Sequence, residues 1–163
     1  HALGEIESAL ELYADSLTIA QQTGELRMEG TTLGNLGNLL YSQGRLDSAE
    51  EHFMQAISIC DKAIPPAAGY YRSLLALIRS DQGKFSEARD LLDTAEKQLT
   101  IEVRTAEFGK IQCIRARVEL AAGDAVAAVA YLSKAEAIAA KMGTKPDSQL
   151  GKAIDQTRTL IDG

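Results

Sequence analysis

Apolar residues return every third or fourth position in a series of segments, the spacing that gathers side chains on one face of an α-helix. In "EGTTLGNLGNLLYSQG" they are Leu33, Leu36, Leu39 and Leu40, with Gly37 on the same side. "AAGYYRSLLALIRSDQG" carries Tyr71, Leu74, Leu75 and Ile78, and "AEFGKIQCIRARVELAAG" carries Ile111, Ile114, Val118 and Ala121. The stripes of these two drift by about a residue relative to the first, and all three predict helices. A last amphipathic helix is expected in "PDSQLGKAIDQTRTLIDG", through Leu150, Ile154 or Ala153, Leu160 and Ile161.

A second set of helices is expected after Gly4, Gly44, Gly83 and Gly123, which stand 40, 39 and 40 residues apart. Each glycine opens the same phrase: "GEIESALELYADSLTIA", "GRLDSAEEHFMQAISIC", "GKFSEARDLLDTAEKQL" and "GDAVAAVAYLSKAEAIA". Ala9, Ala49, Ala88 and Ala128 coincide, as do Tyr13, Phe53, Leu92 and Leu132, and then Ser16, Ala56, Ala95 and Ala135. Small, large and small residues at steps of four and three give each helix a notch, a knob and a notch on one stripe. Ile6, Leu46 and Phe85 add an apolar anchor two residues after the glycine, with Ala125 a weaker one. The glycines are read as ending one helix in a left-handed conformation, which costs a residue with a Cβ about 1–2 kcal/mol. "QQTGEL", "AIPPAAG", "LTIEV" and "KMGTKPDSQ" are read as connectors, Pro65–Pro66 stopping a helix.

Gly34 and Gly37 raise the question of a phosphate-binding loop. Such a loop needs a preceding strand and either GxxxxGK[ST] or a GxGxxG opening a βαβ unit, and neither occurs. Each glycine costs a helix about 1 kcal/mol relative to alanine, a loss that close helix contact can offset.

Composition narrows the function classes. The 163 residues are 45% apolar and 25% charged, with 5% aromatics and no tryptophan, which suits one globular chain of close-packed helices. A net charge of −6 and a pI near 5.0 lack the basic footprint of a nucleic-acid binder. No apolar run is long enough to span a bilayer. Cys60 and Cys113 show no metal-ligand or CxxC spacing, and buried, inert thiols in a reducing, cytoplasmic setting are expected. His1 is terminal, His52 lies away from the repeat columns, and no HExxH or GxSxG is present, so neither catalysis nor a cofactor is expected. The carboxylates of "DSAEE" and "SEARD" fall on solvated helix faces.

The phrase formed by Leu36-Gly37-Asn38, Gly44, Ala49, Phe53 and Ala56 resembles the tetratricopeptide repeat (TPR), in a long form of about 40 residues like that of kinesin light chains, Pins-type adaptors and bacterial TPR regulators. The resemblance implies an all-α fold, a right-handed superhelix of antiparallel helix pairs. On this reading residues 1–163 are one domain: the second helix of a repeat at 4–22, full pairs at 27–63, 67–99 and 102–142, and a capping helix at 147–161. Starting halfway through a repeat leaves an apolar helix face uncovered, which points to a longer array or to self-association there.

The resemblance also implies a concave groove that receives a peptide or a partner helix. Its lining would include Thr31, Asn35, Asn38 and Tyr41, then Tyr70 and Ser73, then Lys110 and Arg117. A carboxamide can donate and accept together, so Asn35 and Asn38 could hold a ligand backbone, and the two cations a carboxylate. The alternative is that these side chains only solvate helix faces. Gly34 stands where the chaperone-tail clamp of this family needs a lysine, so such tails are not the expected ligand. The expected function is a non-catalytic protein-interaction module, part of a larger bacterial regulatory protein. The alternative is a ligand-sensing segment of a TPR-bearing kinase, ATPase or transcription regulator.

Overall fold

The computed structural model describes residues 2–99 and 106–163, the first four of them as backbone only. The described helices are α1 (Ala2–Thr23), α2 (Leu26–Ser42), α3 (Leu46–Ala63), α4 (Pro65–Asp81), α5 (Phe85–Gln98), α6 (Ala106–Ala121), α7 (Ala125–Met142) and α8 (Gln149–Asp162). Among the described residues there is no strand. The fold class is all-α, a repeat fold of the solenoid kind. Apart from Leu99, the connector read at 99–103 and the start of the pair at 102 lie outside the described residues, as does His1. The chain divides into two compact units, residues 1–71 and 72–163.

The turns are nearly copies of one another. Gly24, Gly44, Gly83, Gly123 and Gly143 have φ of 71°, 72°, 74°, 87° and 62°, the left-handed region that a side chain with a Cβ avoids. At Gly44 the glycine N–H donates to the Tyr41 carbonyl (2.9 Å) and the next N–H, of Arg45, to Leu40 (3.0 Å). The same pair of bonds recurs at Gly83 and Gly123, so the carbonyls left open at each helix end are satisfied by a Schellman turn. Gly4 departs from this set, since it lies inside α1.

In the first unit, α2 and α3 form an antiparallel pair. A Cβ on Gly30 would lie 2.5 Å from Cys60 Sγ, and one on Gly37 would lie 2.9 Å from the Phe53 ring and 3.3 Å from the Ala49 carbonyl. The order of these contacts, 30 with 60 and 37 with 53, fixes the opposed directions. Ala49, Phe53, Ala56 and Cys60 are completely buried. The Phe53 ring stacks on Tyr71 of α4 with centroids 6.4 Å apart. Pro65 and Pro66, read as connector, instead open α4. The first turn of a helix has no internal use for an N–H, so proline there costs nothing and presets φ.

In the second unit, Cys113 and Ala116 of α6 pack with Leu132, Ala135 and Ile138 of α7 and with Leu150 and Ile154 of α8. A Cβ on Gly109 would lie 2.8 Å from both methyl groups of Leu150. On α8 the buried stripe runs Leu150, Ile154, Thr157, with Ile161 partly buried, and Leu160 is 53% exposed. At 3.6 residues per turn Leu160 points roughly 90° from the middle of that stripe, which corrects its expected place. Ala121 is also exposed, because it is the last residue of α6 before the Gly123 turn. Nor does α6 bury one stripe: Gln112, Arg115 and Glu119 are buried along with its apolar residues.

Candidate functional site

The first unit presents the polar stripe of α2. Three faces of this helix are covered: Gly30 and Gly37 by α3, Gly34 by the ring of Tyr71, and Thr32 by Ser16 of α1 through a 3.1 Å hydroxyl–hydroxyl hydrogen bond. What remains outward is the line Thr31, Asn35, Asn38, Ser42, spaced four, three and four. Asn35 and Asn38 are exposed, and neither carboxamide is hydrogen bonded to another described residue. Thr31 and Tyr41 are half-buried. The Thr31 hydroxyl donates to its own helix at Arg27 (2.8 Å), and its carbonyl accepts from the Tyr71 hydroxyl (3.3 Å). Burial pushes that phenol up to about 12, so it stays protonated and able to donate. Tyr70, half-buried, lies with its ring tilted against Tyr71 at 6.0 Å between centroids.

In the second unit Lys110 and Arg117 lie seven apart on α6, both half-buried. Lys110 donates to Gln149 Oε1 at 3.3 Å and approaches Glu107 at 3.8 Å. The sequence reading missed a more deeply held group beside them. Arg115 Nη2 donates to Asp93 Oδ1 at 2.6 Å and its Nε to Glu96 Oε1 at 2.9 Å, and its guanidinium stands 5.3 Å from the centre of the Tyr131 ring. Gln112 donates to the same Glu96 oxygen at 2.9 Å. Arg89 of α5 grips Glu119 through Nε and Nη2, the shortest contact 2.6 Å. Burial opposes the charge of Arg115, yet its pKa is raised, because Asp93 and Glu96 outweigh that cost. Cys113 is buried, and burial lifts its thiol to about 11, the Thr157 hydroxyl opposing the shift only in part. No group of three or more His, Cys, Asp or Glu that could hold a metal occurs among the described residues.

A sequence model of the MalT-like TPR region matches residues 1–151. The chain belongs to the MalT-like TPR family. Two crystal structures of kinesin light chain-like, nearly identical TPR-like repeats from Podosopora anserina are similar to it, one of them a point variant. Each is 21% identical and covers 98% of this chain; the TM-scores are 0.66 over 78% of the variant and 0.64 over 79% of the other. At that identity the likeness shows the fold. No curated protein sequence matches the chain.

In this TPR region the turn glycines supply a register that explains Ser73. Ser73 stands ten residues before Gly83, as Gly34 stands before Gly44 and Cys113 before Gly123, and all three are buried. That column is for packing, so Ser73 has no exposed surface to offer a ligand. Seven residues before the same glycines lie Gly37, Ala76 and Ala116, and fourteen before lie Gly30, Gly69 and Gly109, every one buried. Counting back from the turns, rather than matching apolar stripes, is the signal that would have aligned the first helices.

Proposed function

We propose that this TPR region binds an extended peptide or a partner helix along the outward stripe of α2, with Asn35 and Asn38 as its main hydrogen-bonding groups. TPR folds in general mediate protein–protein interaction, and the observation that carries the finer reading is a contrast within one helix. The α2 helix is enclosed by α1, α3 and Tyr71 on its other faces, yet carries two aligned carboxamides with open donors and acceptors. Thr31, Tyr41 and Tyr70 flank that line in the same unit. In the second unit, α6 offers positive charge at Lys110 and Arg117, suited to a carboxylate. The reading is of a non-catalytic module within a larger regulatory protein. The resemblance to bacterial TPR regulators supports that setting.

Peptides selected from a random library on the native chain would be re-measured on the variant carrying Asn35→Ala and Asn38→Ala. Two lost hydrogen bonds of about 1 kcal/mol each should weaken binding by roughly tenfold or more, with the melting temperature unchanged. Unchanged affinity, or a fall in stability equal to the loss of binding, would show that the asparagines only solvate the helix.

A further inference from the structure

The contact between α5 and α6 is crossed by ion pairs, whereas the polar links between α1 and α2 include the neutral Ser16–Thr32 hydrogen bond and the exposed Gln21–Glu29 one. Three rungs cross it: Arg89 with Glu119, Asp93 with Arg115, and Glu96 with Gln112 and Arg115, at 2.6–3.2 Å. The α5 members stand 6, 10 and 13 residues after Gly83, and the α6 members 4, 8 and 11 before Gly123. The same offsets from Gly4 and Gly44 give Leu10, Ala14 and Leu17 on α1 and Leu40, Leu36 and Leu33 on α2. At the register where α5 and α6 carry six polar residues, α1 and α2 thus carry six apolar ones, of which Leu33 and Leu40 are buried and Ala14 is exposed.

This difference has a direction. Arg115 and Glu119 have side chains only 7% and 8% exposed, whereas their partners Asp93 and Arg89 are 57% and 44% exposed. Each of these two rungs therefore has one desolvated end and one end at the water boundary, where dissolved ions can compete. A desolvated ion pair gains little over a hydrophobic pair of similar size, because dehydration offsets its attraction. Leucine contacts do not weaken as salt is added. Arg115 faces Asp93 and Glu96 from α5 and the Tyr131 ring from α7, with Lys134 Nζ 4.3 Å from the centre of that ring.

We propose that the α5–α6 joint is a salt-responsive hinge, the place where this repeat opens as ionic strength rises while the leucine joint of α1 and α2 stays shut. Hydrogen exchange on the full chain at neutral pH, in roughly 0.05 and 1 M sodium chloride, tests it. Exchange in α5 and on α6 should accelerate by about fivefold or more in high salt, with α1 and α2 unchanged or slower. A variant with leucine-type rungs (Arg89→Leu, Asp93→Ala, Glu96→Leu, Gln112→Leu, Arg115→Leu, Glu119→Leu) should lose that response. Glu119→Gln, a much smaller change, should speed exchange in α5 and α6 already at low salt. Should the six-fold variant not fold, the native salt response and Glu119→Gln decide the matter. Exchange in α5 and α6 that ignores salt, or that moves equally with α1 and α2, overturns the hinge.

Discussion

Single residues act here chiefly through their absence of bulk. Gly37 allows the Phe53 ring to lie where a Cβ would stand 2.9 Å from two of its carbons, and that ring is fully buried and stacked on Tyr71. Gly37→Ala gains about 1 kcal/mol of helix propensity but meets overpacking of about 1–3 kcal/mol. The expected result is a net loss of up to about 2 kcal/mol in urea unfolding, and Gly34→Ala, whose Cβ would meet the hydroxyl end of the Tyr71 ring more closely still, should lose more. A gain in stability would show that the rings yield freely. Ala49, Ala56, Ala88, Ala95, Ala128 and Ala135, with the knobs Phe53, Leu92 and Leu132, were legible in the sequence because size alone places them, and all are buried. Ser73 was not legible, since a hydroxyl is compatible with a groove or with a tight contact, and only its register distinguishes the two. Whether Asn35 and Asn38 grip a ligand rests on their partner, which residue type alone cannot supply.

At the scale of elements, the ends of helices were easier to read than their faces. The turn glycines Gly44, Gly83 and Gly123 were found from spacing, which also picked out Gly4 inside α1, and their left-handed φ values follow from the sterics that choose glycine. The prolines of α4 were misread because a helix-stopping residue is also a good helix-starting one, and the difference lies in which side the chain continues. On α6 the polar residues were missed because Gln112, Arg115 and Glu119 are buried only through partners on α5, far away in sequence. The start of α8 depends on a local device. Ser148 Oγ accepts from the Gly151 N–H at 3.0 Å, satisfying one of the open donors of the first turn. Ser148→Ala should therefore cost about 1 kcal/mol, seen as faster hydrogen exchange confined to α8. Unchanged exchange would show that Leu150 and Ile154, packed against α6 and α7, fix this helix without its cap.

For the whole molecule, the fold was legible because a repeat states its rule several times over. One segment with a Gly, Ala, Phe, Ala pattern is weak evidence, whereas four in register leave few other folds that could bury the same columns. The MalT-like family match over residues 1–151 agrees with that reading. The departures are informative for the same reason: the polar rungs between α5 and α6 stand out only because the matching positions in α1 and α2 hold apolar residues.

The five internal turn glycines carry one more consequence. A Cβ built at Gly24, Gly44, Gly83, Gly123 or Gly143 would meet nothing within 4 Å, so what bars other residues there is handedness rather than crowding. A mirror-image alanine prefers the backbone angles these sites already hold. Installed by chemical ligation at Gly44, D-alanine should raise stability by about 0.4–1 kcal/mol by narrowing the freedom of the unfolded chain, while L-alanine should lower it by about 1–2 kcal/mol. Thermal melts of the two stereoisomers, identical in composition, would measure how much of this protein's durability is stored as chirality at its corners.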